Sequence, residues 1–354
     1  MYISAWDLSL SVVQSGNDDF GITGHGRHVF SAFDVLMTVR HAVFTYPPAT
    51  TPMVRNVAGL LPDLDEEDFY LLSGVEQGMR FSEWVQREKL PKFANLTEEE
   101  VDYRLERCLK RGLVEKKTIQ YEGYTLQFEG YDVLALRALV EQDTISEFGS
   151  PLGVGKESDV YEVKSYKPLA LKYHREGYTN FREVHKERDY TSDNDHVSWM
   201  YTARKAAERE HDILKELYPD VAVPQPIGQN RHAIVMEKMD GVELSRTRLE
   251  DEQVLGVLEL LVSEIAHAYA DGYVHADMSE YNVFVNEAGV TIFDWPQAVP
   301  TDHENASEFL RRDLTNIVGY FRRKYPQHVP DALASDALAR AIENEAFESL
   351  ERYV

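Results

Sequence analysis

The sequence is poor in cysteine, in basic charge and in long apolar runs. Its single cysteine, Cys108, excludes an intrachain disulfide and reads as a small apolar packing residue. No uninterrupted apolar run reaches spanning length and no signal peptide is visible. A soluble, cytoplasmic protein without membrane contact is therefore expected. Lysine and arginine number 37 against 61 aspartates and glutamates, a net charge of −24. Long-range repulsion from such a chain opposes a polyanionic partner in dilute salt. At about 1 M salt the Debye length falls to about 3 Å and only local charge counts. The composition thus suggests a salt-loving source and best activity at high KCl. What is present is 354 residues with 43% apolar content, enough for two or three domains with a sizeable core.

Residues 1–52 differ from the rest, with four acidic and two basic side chains. His25 and His28 lack cysteine or carboxylate partners and make a poor ligand set. A proline-rich linker, 46–52, leads directly to Met53. This suggests that translation starts at Met53 and that 1–52 is an extension, disordered or not translated. Residues 53–130 read as a winged-helix domain. Helices are expected over Glu66–Gln77 and Ser82–Glu88, and a third from Thr97, which with Glu100 forms a capping box. That third helix should stop at Gly112, before a hairpin of Val114–Lys117 and Gly123–Phe128. Arg104, Arg107 and Arg111 share a face of the third helix, the one that in this arrangement enters a nucleic-acid groove. A helix over Gly130–Val140 connects onward, within a linker of 131–145.

The most informative stretch is 272–297. Val283–Val285 and Val290–Phe293 are short β-runs around the turn 286–289. Asp277 and Asn282 precede the first run and Asp294 follows the second, so the hairpin brings two carboxylates and an amide together. Hard oxygens of this kind suit Mg²⁺ bound to substrate phosphates. His275-Ala276-Asp277-Met278-x-x-x-Asn282 follows the H-R-D-L-x-x-x-N pattern, and Asp294-Trp295-Pro296 stands where D-F-G is expected. In that pattern the aspartate, here Asp277, orients the acceptor, while Asn282 and Asp294 hold metal on ATP phosphates.

Upstream, Gly153 and Gly155 let the backbone approach phosphates, with Lys156 between loop and strand and Ser158 in place of a third glycine. Pro168–Lys172 resembles V-A-I-K, which puts Lys172 on the α- and β-phosphates. Residues 173–196 are charged and aperiodic, which predicts a mobile segment. A long helix over Val197–Leu217 offers Glu210, or alternatively Glu208, as the carboxylate partner of Lys172. Ala233–Met236 reads as a buried strand, and Glu237-Lys238-Met239 as the hinge whose backbone meets adenine. Val254–Tyr269 is a core helix. Helices are expected over Glu304–Leu310, Leu314–Phe321 and Pro330–Glu351. The fold class is α+β: an N-terminal winged-helix domain, then a two-lobed protein-kinase-like domain.

Taken in order, the winged helix, G-x-G-K-E-S-D-V-Y (153–161), L-A-L-K (169–172), H-A-D-M-S-E-Y-N (275–282), I-F-D-W-P-Q (292–297) and N-A-S-E-F-L-R-R-D (305–313) resemble the RIO atypical serine/threonine protein kinases. The likeness is to the Rio2 subgroup in its archaeal-like form and covers residues 53 to about 325. The resemblance implies a RIO kinase domain over 146–325, with an N-lobe of 146–236, a C-lobe of 240–325 and a C-terminal helical segment, 326–354. It implies ATP and Mg²⁺ as cofactors, with Lys172 and Glu210 positioning ATP and Ser158 on its phosphates. Asp277 would be the catalytic aspartate, Asn282 and Asp294 the metal ligands, and Asp294 also the acceptor in an aspartyl-phosphate switch with ATPase character. It further implies a role in small ribosomal subunit maturation, with the winged helix on precursor rRNA and an unidentified protein substrate. Two alternatives share parts of the pattern: a small-molecule phosphotransferase of the aminoglycoside or choline kinase type, and a non-catalytic assembly factor that binds ATP.

Overall fold

The computed structural model describes residues 57–118, 120–155, 157–175 and 199–353. The readings of 1–52, of a start at Met53, of Lys156 and of a mobile stretch beyond Arg175 lie outside them.

The N-terminal part opens with α1 (Val57–Leu60) and α2 (Glu66–Gly78), then β1 (Val85–Gln86), α3 (Leu90–Ala94), α4 (Glu98–Lys110), β2 (Val114–Thr118) and β3 (Glu122–Leu126). Helix α4 starts where Thr97 and Glu100 satisfy each other's backbone N–H, at 3.3 and 3.2 Å. Asp65 and Asp68 do the same for α2. The strands form an antiparallel sheet in the order β1-β3-β2. The expected helix over Ser82–Glu88 does not form. Val85 instead pairs with Tyr124 and packs on α2, where a Cβ on Gly78 would lie 2.5 Å from a Val85 methyl. The helix begins later, with Pro91 in its first turn.

Helix α5 (Phe128–Glu141) then runs beneath a five-stranded antiparallel sheet of β4 (Glu147–Val154), β5 (Ser158–Lys164), β6 (Pro168–His174), β7 (Pro226–Asn230) and β8 (Ala233–Glu237), in the order β4-β5-β6-β8-β7. Alternation along the strands decides which residue faces where. Leu169, Leu171, Tyr173, Ala233 and Val235 point down into one core shared with α5 and the winged helix. Ala170, Ile234 and Met236 point the other way, into the core of the second lobe. Lys172 and His174 share the parity of Ala170 and face that same side. The helix joining the two parts is thus core rather than tether, with Tyr131, Asp132, Leu136 and Leu139 buried. The aperiodic stretch expected from Tyr173 in fact begins with ordered residues, since Tyr173 and His174 complete β6 and are buried.

Helix α6 (Trp199–Leu217) lies against the sheet's upper face. The second lobe holds β9 (Val242–Glu243), α7 (Val254–Ala270), β10 (Tyr273–Val274), the hairpin β11 (Val283–Asn286) and β12 (Gly289–Ile292), β13 (Val299–Pro300), α8 (Ala306–Lys324) and α9 (Ser335–Glu343). Helix α8 is continuous, where a break after Leu310 was expected. Asp313, the polar residue at the supposed break, is buried inside it. The C-terminal helix is shorter than the expected 330–351, because it ends at Asn344 and Glu345 takes a left-handed φ of 53°. Among the described residues no helix is long and apolar enough to cross a membrane.

Candidate active site

Strands β11 and β12 pair in register, with Val283 opposite Ile292, and the Phe293 N–H donates to the Asn282 carbonyl at 3.0 Å. Asn282 and Asp294 therefore stand at the open end of one hairpin. The Asn282 side-chain amide donates to the Asp277 carbonyl at 2.9 Å, which ties the loop carrying Asp277 to that end. Asp277 itself is exposed.

Two non-glycine residues here are left-handed: Ala276 at φ 63° and Asp294 at φ 69°. Such backbone persists only where its surroundings over-determine it. For Ala276 the surroundings are Asp313 and Arg312. The Asp313 carboxylate accepts the Ala276 N–H at 2.7 Å and the Met278 N–H at 3.1 Å, and the Arg312 guanidinium donates to the Ala276 carbonyl. Asn316 adds a bond to the Met278 carbonyl at 3.1 Å. Burial pushes the Asp313 carboxyl up, an effect that nearby His275 and the two backbone donors partly oppose.

Lys172 sits on the central strand β6. Val160 lies beside it on β5, and Gly153 lies beside Val160 on β4. The glycine loop is thus two strand spacings, about 10 Å, from the lysine. The Lys172 ammonium bonds both Glu210 oxygens, at 2.8 and 2.7 Å, and Asp294 Oδ1 at 2.6 Å. Glu210 is fully buried and also meets His174 Nε2 at 2.8 Å and the Trp295 N–H at 3.1 Å. Burial alone would raise its carboxyl, but the Lys172 charge and then His174 outweigh that and hold it well below the usual range. Burial likewise opposes the Lys172 charge, and Glu210 and Asp294 reverse the effect, so its ammonium is held charged. The alternative, Glu208, faces outward and pairs with Arg204 and Lys205 at 2.7 Å each.

The remaining candidates line the cleft's edges. The Gly155 N–H donates to the Ser158 carbonyl at 2.9 Å and closes the β4–β5 turn. A Cβ on Gly153 would meet nothing within 4 Å, so its backbone stands open. The Glu237 N–H is spent on the Gln225 carbonyl at 2.8 Å, while the Met239 N–H has no partner among the described residues. Among those residues no cluster of three or more His, Cys, Asp or Glu could hold a metal alone. Mg²⁺ needs no such cage, since one or two carboxylates plus phosphate oxygens suffice. The Asp294 carboxylate and the Asn282 amide oxygen are donors of that kind.

Sequence reading missed Asp313 and His174. Asp313 carried one signal: an acid between Leu310, Leu314 and Ile317 on an apolar helix face must be satisfied somewhere. His174 carried a parity signal, two residues after Lys172 on the same strand face.

Two of the three arginines of α4 are held in ion pairs within the domain. Arg104 pairs with Asp65 at 2.6 Å, Glu67 at 3.2 Å and Asp68 at 3.4 Å; Arg107 pairs with Asp68 at 2.8 Å. Arg111 donates to the Arg107 carbonyl at 3.2 Å. The charges of Arg104 and Arg107 are answered by acids about forty residues earlier, on α2 and its cap.

A central-strand lysine clamped by a helix glutamate, facing a hairpin that ends in asparagine and aspartate, defines the protein-kinase-like class. Family models match the chain twice, "Rio2, N-terminal" over residues 61–142 and "RIO domain" over 159–333. The RIO-type serine/threonine-protein kinase Rio2 of Methanocaldococcus jannaschii is 42% identical over 252 residues, covering 69% of this chain and 92% of that protein. The serine/threonine-protein kinase rio2 of Schizosaccharomyces pombe is 37% identical over 268 residues, covering 74% and 77%. Among solved structures, the Rio2 kinase–ADP/Mg²⁺–phosphoaspartate complex from Chaetomium thermophilum matches with a TM-score of 0.65 at 29% identity, covering 81% of this chain and 95% of that one. The chain belongs to the Rio2 family of RIO-type serine/threonine-protein kinases.

Proposed function

We propose that the chain is an ATP- and Mg²⁺-dependent phosphotransferase that forms an aspartyl phosphate on Asp294 and acts in maturation of the small ribosomal subunit. One observation carries the chemistry: a single ammonium, Lys172, is fixed between buried Glu210 and the partly exposed carboxylate of Asp294. The Chaetomium relative, solved as a complex with ADP, Mg²⁺ and phosphoaspartate together, supports the same reading.

The backbone of Gly153 and Gly155, with Lys156 and Ser158, covers the phosphates, and Glu237 and Met239 receive adenine. Lys172 neutralises phosphate charge and is kept aimed by Glu210. Bound Mg²⁺, held by Asn282 and Asp294, would supply further charge neutralisation on the phosphates. The bond between the γ-phosphorus and ADP breaks as an Asp294 oxygen bonds to that phosphorus. Attack by water then releases phosphate and restores the carboxylate, with Asp277 taking the water's proton. A serine or threonine hydroxyl on a protein substrate can take the place of that water. The N-terminal domain would bring the site to a small-subunit precursor.

Single-turnover reaction with ATP labelled in the γ-phosphate tests the scheme. Acid-quenched protein should carry a hydroxylamine-labile label. Asp294→Asn should carry none, and Asp277→Ala, which lacks the base for the second step, should take up the label and release it slowly. Equal labelling of Asp294→Asn rejects the acceptor assignment.

A further inference from the structure

We propose that one edge of the winged-helix domain, built from Phe81, Trp84, Phe93 and Lys117, is a stacking platform for single-stranded RNA. The proposal rests on the reading that this domain meets RNA, and it moves the contact away from α4. Arg104 and Arg107 there are consumed by Asp65, Glu67 and Asp68, which leaves Arg111 alone of the three.

The platform combines one exposed ring, Phe81, and two half-buried ones, Trp84 and Phe93, with lysines that make no ion pair among the described residues. Phe81 is 79% exposed, a costly position for a large apolar side chain that nothing in the fold requires. Its ring lies nearly parallel to that of Phe93, 10° between planes and 6.3 Å between centroids. Trp84 follows three residues on. Its carbonyl is held by the Ser82 and Tyr121 hydroxyls, at 3.1 Å each. The wing packs beneath it, where a Cβ on Gly123 would lie 2.7 Å from the Trp84 Cβ. The backbone and Cβ of Trp84 are therefore fixed against the wing. Lys117, from the wing, holds its ammonium 5.4 Å from the indole centroid. Lys89 lies one helical turn before Phe93, and Lys92 is adjacent to it. Neither lysine makes an ion pair among the described residues, unlike Arg87, which is taken by Asp102 at 2.6 Å.

Rings interleaved with free cations suit nucleic acid in which bases are splayed out, because every base has a face to stack and every linkage a charge to answer. Charge complementarity favours RNA over an apolar protein partner, since these cations make no ion pair among the described residues of a chain of net charge −24. Glu83 and Glu88 interrupt the run, so phosphate contacts are few and stacking carries most of the affinity. With about three lysines engaged, log affinity should fall against log salt with a slope of only about −2. Such a surface keeps its grip in strong salt, where a purely electrostatic one loses it.

The test uses the full chain and a fluorescent uridine oligonucleotide, with anisotropy read from dilute to about 1 M KCl. Phe81→Ala and Trp84→Ala should each weaken binding at least about fivefold. Lys117→Glu should weaken it too, and Phe81→Trp should restore it. Lys110→Glu, on the exposed face of α4, should leave affinity unchanged. Phe81 is outside the core, so Phe81→Ala should keep the wild-type melting temperature and ATP turnover. If the wild-type chain binds and Lys110→Glu alone weakens it, the platform is wrong while the RNA reading stands. No binding by the wild-type chain withdraws both and leaves the rings to a protein partner.

Discussion

The carboxylate of Asp313 accepts the N–H of Ala276 at 2.7 Å from within helix α8, and the same group takes the N–H of Met278 at 3.1 Å. The residue between these two donors is Asp277. Asp313 therefore holds the loop's backbone in its left-handed bend and fixes the chain on both sides of Asp277. It is a positioning residue.

Removing this brace should cost rate more than nucleotide affinity. Asp313→Ala leaves two buried donors unpaired, at about 1–3 kcal/mol each. A displacement of about 1 Å at a reacting group costs about 100-fold in rate. The expected outcome is a kcat lower by that order with an ATP Kd within a few-fold of wild type. Asp313→Asn, which keeps one acceptor, should fall between. Stopped-flow turnover and fluorescent-nucleotide titration would check both. An unchanged kcat would remove the role.

Glu210 is expected to matter for folding as well as for ATP. It answers Lys172, His174 and the Trp295 N–H from a fully buried position. Truncation of one partner of a buried pair typically costs about 3–5 kcal/mol, because the other charge is left in a poor medium. Glu210→Ala should lower stability to urea by that order and weaken ATP binding. Glu208→Ala, at an outward-facing residue of the same helix, should change stability by less than about 1 kcal/mol.

Arg107 should behave as a structural residue. Its guanidinium meets the fully buried Asp68 at 2.8 Å and the Asp63 carbonyl at 2.9 Å. Arg107→Glu places a carboxylate against a buried carboxylate, and a loss of about 3–5 kcal/mol is expected. The signature is a lower melting temperature for the unit that shares the core of α1 to β8. Retention of the melting temperature with loss of RNA affinity would return α4 to the role its sequence suggests.

Acid should loosen the seam between α5 and the sheet in two stages. At this seam Arg175 bonds Asp132 at 2.5 and 2.7 Å and Asp159 at 2.8 Å, and His232 Nε2 meets Asp132 at 2.7 Å. Burial holds the His232 imidazole down, from an ordinary 6.5 to about 4. Below pH 6.5 the unfolded chain takes up a proton that the folded chain refuses, so stability falls as pH drops from 6.5 to 4. The loss for this group is at most about 3 kcal/mol. The Asp132 carboxyl, which burial would raise, is lowered by Arg175 and His232 from 3.8 to about 2. Its contribution is present above 3.8 and lost as pH falls through 2. Urea unfolding against pH should show both windows, and His232→Gln should flatten the upper one.

Much of the site was legible because its parts are close in sequence. Asp277, Asn282 and Asp294 fall within eighteen residues, and the hairpin between them follows from two short apolar runs. Lys172 was legible from its strand. Asp313 and the Arg104–Asp65 contact were not, because each joins positions 35 or more apart and leaves no local period. The misread helix at Ser82–Glu88 has the same origin. Val85 forms a strand only because Tyr124, almost forty residues later, offers it a ladder. Arg104 and Arg107 of α4 were visible, but the acids that pair with them lie on another helix and its cap.

The apolar core running without a break from α1 to β8 removes any seam at which the two named parts could be cut. A truncated chain beginning after Glu141 would bring Leu169, Leu171, Tyr173 and Val235 into water. The sheet's other face, through Ala170, Ile234 and Met236, belongs to the core of the second lobe, so the same five strands serve two cores at once.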